Sequence, residues 1–331
     1  MRITTGLLTD NYVQNLQRIQ NRKFAQELKL TTLKDINSLA DDPKKVINIK
    51  ELSAMVSKNE QYLTNLNEVH AELTVAHDQL QSFADKTQNI RQLSIDATQT
   101  GSAANTSSIG SYVKGLIEDM VKDLNTSFNG KFIFGGTKTT EESMNSATGS
   151  QTNFPYEVIT EAPTAENPSG MKVVFKGNFN ERIVNKDSNA TETVNVTMDK
   201  VMGTDGTKVF EPIIKLYNLL VYKKDGVARG ANDYFNKEDV QTLSSYQKTI
   251  AENYDLINNN IAKVGAKVNR IEVLQDQMTE QNSRLRAFKS LDEDADVAKT
   301  TMELSKESSV LQYSLQVGSK MLSQSLFDFL A

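Results

Sequence analysis

LSAMVSKNEQYLTNLNEVHAELTVAHDQLQSFADKTQNI, residues 52–90, decides the fold. Its apolar or small positions are Leu52, Met55, Asn59, Tyr62, Leu66, Val69, Leu73, Ala76, Leu80, Phe83, Thr87 and Ile90. The steps between them alternate three and four, with polar interruptions at Asn59 and Thr87. A 3.5-residue period held for about five heptads is the seam of a packed helix. It predicts a helix over about 44–98, roughly 80 Å long at 1.5 Å per residue. The prolines agree: Pro43, Pro155, Pro163, Pro168 and Pro212 leave 44–154 and 213–331 free of helix breakers.

Working outward, the far arm has the same rhythm. Leu243, Tyr246, Ile250, Ile257, Ile261, Val264, Val268, Ile271, Met278, Leu285, Phe288 and Ala295 predict one helix over 243–298. A shorter pattern, Val113, Leu116, Met120, Leu124 and Phe128, follows the Gly/Ser/Ala/Thr stretch 100–110, which predicts a break and turn. Ile213 to Lys224 predicts a further helix whose apolar face belongs to the core. A one-sided apolar stripe must be buried against partners, so these helices are expected to form a bundle.

The middle is built differently. Ten of the 16 glycines fall between Gly130 and Gly230. Short β-branched runs at 156–160, 171–175 and 193–197 are separated by Gly, Pro, Asn and Asp, which predicts strands joined by turns.

The two ends form a third region. Residues 1–50 carry nine basic and five acidic side chains, and residues 288–331 four basic and seven acidic. Opposite signs suit an end-to-end helix pair. Its seams are thin: Tyr12, Leu16, Ile19, Phe24 and Leu28 on one side; Leu304, Leu311, Leu315, Leu322, Leu326 and Phe329 on the other. Ser308 and Gly318 leave gaps. Such a pair is marginal alone, and the end Leu326-Phe327-Asp328-Phe329-Leu330-Ala331 is strongly apolar. Terminal helices of this kind are expected to complete their core on partner subunits.

Composition excludes much chemistry. The 331 residues include no Cys, no Trp and two His, with a net charge of −5. There is no thiolate nucleophile, disulfide or cysteine metal site. The acidic balance speaks against nucleic acid. No run approaches the roughly 20 apolar residues that span a bilayer. The opening residues lack the apolar core of a cleaved signal peptide. His70 and His77 lie seven apart and flank the seam, without the closer spacing and third ligand of a zinc site. The acidic run 292–296 lacks the glycine and spaced glutamate of a calcium loop and is expected to be a helix start or hinge. Gly135-Gly136 is not followed by the Lys and Ser/Thr of a phosphate loop. No cofactor, no metal and no catalysis are expected.

Several motifs carry a resemblance. Met1-Arg2-Ile3-Thr4-Thr5, Ala40-Asp41-Asp42-Pro43, Asn129-Gly130-Lys131-Phe132-Ile133-Phe134-Gly135-Gly136 and Ser325-Leu326-Phe327-Asp328-Phe329-Leu330, in this order and at these positions, resemble the bacterial flagellin family. The ending is similar to that of the branch that joins flagellar hook to filament. The resemblance covers about 1–140 and 213–331. Ala40, Phe132 and Phe327 depart from the family's usual Ser, Tyr and Leu.

The resemblance implies a mainly α, elongated, flagellin-like helical bundle with paired terminal helices and a small inserted β-rich domain. The expected division is 1–43 with 290–331 (terminal pair, disordered in the free monomer), 44–136 with 212–289 (bundle and β-hairpin), and 137–211 (insertion). It implies a structural axial protein, exported uncleaved to the extracellular flagellum. Its partners would be a first junction protein, flagellin, neighbouring copies in a ring, an export chaperone and the type III export apparatus. Filament flagellin is the near alternative; a coiled-coil scaffold or sensor is one from another class. Assembly contacts are expected at Leu7, Leu8, Tyr12, Leu16, Ile19, Leu311, Leu315, Leu322, Leu326, Phe327, Phe329 and Leu330. Read without the family, Asp41 or Asp42 before Pro43 is a helix-start signal. Asn129-Gly130 is a tight-turn dipeptide followed by a strand that ends at Gly135-Gly136.

Overall fold

The computed structural model describes residues 2–100, 103–144, 153–186, 190–230 and 233–330, without the side chains of 2–6, 8, 100, 103, 104 and 321–330. The chain is mainly α. Among the described residues seven α-helices run α1 (Arg2–Thr32), α2 (Pro43–Thr100), α3 (Ala103–Leu124), α4 (Met198–Met202), α5 (Phe210–Val221), α6 (Lys237–Glu293) and α7 (Val297–Leu330). Six short strands form three antiparallel pairs: β1 (Ser127–Phe128) with β2 (Lys131–Phe132), β3 (Tyr156–Thr160) with β4 (Met171–Phe175), and β5 (Ile183–Asn185) with β6 (Thr191–Thr193). The chain divides into two compact units, Met1–Glu60 with Thr279–Ala331, and Gln61–Met278.

The second unit holds the core. Along α2 the 3.5-residue seam is fully buried at Leu66, Leu73, Ala76, Leu80, Phe83, Thr87 and Ile90, and it continues through Ser94 and Ala97. The polar interruption at Thr87 costs little, because its hydroxyl donates to the carbonyl of Phe83, 2.9 Å away. Val113, Ile117, Met120 and Leu124 of α3, Leu243, Ile250, Ile257 and Ile271 of α6, and Phe210, Ile213, Leu216 and Leu220 of α5 close the same cluster. Phe83 meets Phe210 edge-to-face at 5.5 Å.

In the first unit the seam changes register. Val56 is buried while Met55 is 52% exposed, and Leu52 and Asn59 are half-buried. Phe288, expected on the far seam, is exposed as well.

Four expectations are corrected at element boundaries. Residues 103–110 do not belong to the break expected over 100–110, since α3 already begins at Ala103. Gly110 lies inside it, where a Cβ would stand 2.5 Å from Val221 Cγ2; the glycine lets α3 and α5 approach rather than breaking the helix. Phe128 belongs to β1, because α3 ends at Leu124. The helix expected over 243–298 ends at Glu293, and α7 starts afresh at Val297, where Asp296 accepts from the Lys299 N–H at 3.0 Å. The strand expected at 193–197 is shifted to Thr191–Thr193. Asn195 leaves the ladder because its own amide takes the backbone partners: it accepts from the Arg182 N–H at 2.8 Å and donates to the Asn180 carbonyl at 3.0 Å.

The strands at 156–160 and 171–175 form as expected. Asn125 closes the outer edge of β3, accepting from the Tyr156 N–H and donating to its carbonyl, each at 2.8 Å. The Tyr156 ring is fully buried and its hydroxyl donates to the Gly206 carbonyl at 2.9 Å. Burial pushes that phenol well above its ordinary value.

The seam gives a direct test. Leu73→Ala should cost about 2–5 kcal/mol by cavity formation, whereas Met55→Ala should stay within about 0.5 kcal/mol. Urea denaturation of the full chain measures both. Equal effects would mean that the buried seam is misplaced.

Candidate assembly surface

α1 and α7 run antiparallel in the first unit. Tyr12 Oη donates to the Ser314 carbonyl at 2.9 Å, Arg22 makes two 3.1 Å bonds to Glu307, and Lys34 Nζ donates to Glu293 at 2.6 Å. The opposite charges of the two ends are thus partly matched across the pair, though Arg22 is exposed enough for its bridge to add little.

Their facing sides are thin. Ile19 is buried; Tyr12, Leu16 and Leu30 of α1 and Leu304 and Leu311 of α7 are half-buried. Gly318, expected to leave a gap, is instead the notch that takes Tyr12, and a Cβ there would overlap the phenol. Phe24 and Leu28 do not join this seam. The five-residue step from Ile19 turns the helix by roughly 140° and carries Phe24 to the outside. Leu315 is also exposed. The side chains of Leu8, Leu322, Leu326, Phe327, Phe329 and Leu330 lie outside the described residues.

A second apolar stripe follows on each helix. At roughly 100° per residue, Leu7, Val13, Phe24 and Leu28 fall within one arc of about 120° on α1, beside the inner face. Met302, Tyr313 and Val317 share an arc of about 60° on α7. All seven are exposed, Phe24, Met302 and Tyr313 by about two-thirds (66%, 67% and 68%). The Met302–Tyr313–Val317 stripe was missed in the sequence because the inner pattern was traced first; plotting every apolar residue by angle would have found it.

The helix pair is anchored at one corner. Leu33, at a φ of 56°, turns the chain after α1. The Asp35 N–H then donates to the Glu293 carbonyl at 2.8 Å and the Ala295 N–H to the Leu33 carbonyl at 3.0 Å. Asn48 of α2 donates to Asp292 at 2.5 Å.

Here the aspartates of the 40–43 motif act. Asp42 caps α2, accepting from Lys44 N–H at 3.0 Å and Lys45 N–H at 3.2 Å, with Pro43 as first helical residue. Asp41 instead accepts from the N–H groups of Asn37 and Ser38 at 2.9 and 2.7 Å and closes the loop. Those bonds hold its carboxyl below the ordinary value of 3.8. The hydrogen bond that Lys34 donates to Glu293 lowers the carboxyl and raises the ammonium. Lys29 lowers Asp35 in the same way.

The second motif belongs to the other unit and builds a hairpin. Asn129 and Gly130 take φ of 49° and 73°, the two left-handed positions of a tight hairpin turn, and set Ser127 opposite Phe132. The strand is shorter than expected: Lys131 and Phe132 pair, while Ile133 and Phe134 turn into the core. Phe132 packs edge-to-face on Phe154 at 5.9 Å. Gly135 and Gly136 admit the backbones of Lys138 and Asn178, where any Cβ would collide. Asn129, Gly130 and Lys131 are exposed at the tip.

Neither histidine gathers ligands. His77 packs over Gly265 and lies 3.5 Å from Asp78, and the His70 carbonyl accepts from Thr74. Among the described residues no three His, Asp or Glu side chains converge, and no helix is long and apolar enough to cross a membrane.

Residues 3–139 match the family model of the bacterial flagellin N-terminal helical region. Solved structures share the fold. A putative flagellar hook-associated protein from Vibrio parahaemolyticus is 17% identical over 76% of this chain and 99% of its own, with a TM-score of 0.59. Flagellar hook associated protein-3 from Legionella pneumophila is 11% identical over 72% and 97%, at 0.54. The flagellar junction protein FlgL from Legionella pneumophila is 11% identical over 74% and 99%, at 0.51. Among curated proteins none matches the sequence.

The corner should respond to pH. Asp35, Asp41 and Glu293 have depressed folded values, so their contribution is whole above 3.8–4.5 and lost as pH falls through the lower folded values. Lys34 is raised, so its share persists below 10.5 and disappears as pH rises past its folded value. Hydrogen exchange should show the amides of Asn37 and Ser38 losing protection on acidification before those of Leu73 and Leu80. Simultaneous loss would show that the corner carboxylates are not separately linked.

Proposed function

We infer that this chain, whose first arm is a flagellin N-terminal helical region and whose fold is that of the hook-associated and junction proteins just compared, is a structural subunit of the bacterial flagellum at the hook–filament junction. The observation that carries this reading is the unshared apolar stripe on each terminal helix. α1 and α7 spend one stripe each on one another. The other stripes need partners, and packing between copies supplies them.

The mechanism is geometric and asks for no catalysis. Neighbouring copies lay α1 and α7 side by side in a ring about the axis, burying Leu7, Val13, Phe24, Met302, Tyr313 and Val317, together with Leu326, Phe329 and Leu330 at the end. A first junction protein lies beneath the ring and flagellin above it. The exposed hairpin tip at Asn129-Gly130-Lys131 lies on the self-folded unit and is available to a neighbour. The subunit passes unfolded through the type III export apparatus and functions outside the cell. Before export, a chaperone covers the C-terminal helix in the helix-in-groove manner, which keeps an amphipathic helix from premature contacts.

Deleting residues 322–331 should leave cells with hooks but no filaments and with flagellin shed to the medium. Long filaments on such hooks would overturn the junction role, and spontaneous polymerisation of the purified chain into long filaments would favour flagellin. On the free protein, limited proteolysis should trim about 1–45 and 290–331 and spare the bundle. Protease-resistant ends in the monomer would contradict completion by partners.

A further inference from the structure

We propose that Tyr12 and Gly318 form a distal clamp that fixes the rotational setting of the terminal helices, and so decides which stripes a neighbouring copy meets. The second half of this statement rests on the flagellar reading; the clamp itself does not.

The corner at Leu33–Asp35 and Glu293–Ala295 ties only one end of the pair. Tyr12 lies 20 residues from the end of α1, about 30 Å away along the helix. Over that span the facing seam has one buried hydrophobic side chain, Ile19, and an exposed ion pair, Arg22 with Glu307. Long charged side chains of this kind tolerate rotation.

Tyr12 does not. Its hydroxyl donates to the Ser314 carbonyl at 2.9 Å. In an α-helix that oxygen is also the acceptor for the Gly318 N–H, four residues on. The ring reaches it only because Gly318 has no side chain; a Cβ would overlap the phenol. Gly318 is the only glycine of α7, and Tyr12 the only tyrosine of α1. One knob therefore has one hole. Turning either helix moves the phenol onto a residue with a Cβ. The helix-weakening cost of a mid-helix glycine, otherwise unexplained on this surface, is the requirement of the notch.

The chain has no cysteine, so engineered pairs report the setting directly in the full-length monomer. Leu16→Cys with Leu311→Cys samples the facing sides; Val13→Cys with Val317→Cys samples the outer stripes. With a short thiol cross-linker only the facing pair should link in the otherwise native chain. Tyr12→Ala, and separately Gly318→Ala, should lower the facing yield about fivefold, because the ring no longer fills the notch, and let the outer pair link. Tyr12→Phe, which keeps the ring in the notch, should retain the facing yield within about twofold.

Unchanged yields in either alanine variant overturn the clamp. Loss of the facing link with no gain of the outer one, together with loss of helix content, overturns it too, in favour of plain stabilisation. Because the readout is on the free chain, failure of the flagellar reading would leave this result standing, and the reverse.

Discussion

A helix that carries two apolar stripes can bury only one of them against a single partner. This constraint governs the first unit. α1 and α7 meet through Tyr12, Leu16, Ile19, Leu304 and Leu311, and the meeting leaves Val13, Phe24, Met302, Tyr313 and Val317 in water. Among the described side chains, Ile19 and Val56 are the buried hydrophobic residues of that unit. Little apolar surface is buried within one copy, and the polar contacts of the corner and of Tyr12 carry the arrangement of these helices. The second unit, with its continuous cluster from Leu66 to Ile271, has no such shortfall.

The two units therefore use different means of fixing geometry. In the second, close packing does it, and polar groups are absorbed locally, as when Thr87 bonds back to Phe83 or Asn125 closes the edge of β3. In the first, polar contacts do it. Asp41 and Asp42 divide the labour of one motif, one closing a loop and the other capping α2. Backbone bonds from Asp35 and Ala295 fasten the strandless corner. Polar anchoring specifies direction at small net stability, and it leaves the remaining apolar surface of that unit exposed.

What was legible in the sequence follows the same division. The period of α2 predicted its buried face residue by residue from Tyr62 to Ile90, because one face pointed to one core. That period failed at Met55, and the matching period of α6 failed at Phe288, in the unit where no dense core selects the face. The end of α6 and the start of α7 fall in the acidic run 292–296, which is expected to be a helix start or hinge and is one, although the apolar period predicts a helix through it to residue 298. The 193–197 run had strand composition, yet Asn195 used its side chain where a strand partner was expected. The sequence reads Gly110 as part of a helix break and Gly318 as a gap in the seam, and both are close approaches. A sequence shows that a glycine is present, but not which neighbour occupies the space of its missing Cβ.

The corner alone leaves the distal halves of α1 and α7 undetermined. Each of these long helices carries several apolar rows, and with so little buried between them the settings that match one row or another differ by little energy. Hydrophobic contact is non-directional and cannot choose among them. Steric exclusion can, because overlap energy rises within tenths of an ångström while apolar attraction changes slowly. One aromatic ring against one glycine is therefore enough to select a setting that many weak contacts would leave degenerate. Under the proposed assembly, a surface that repeats from copy to copy needs that choice made inside each copy, before the copies meet.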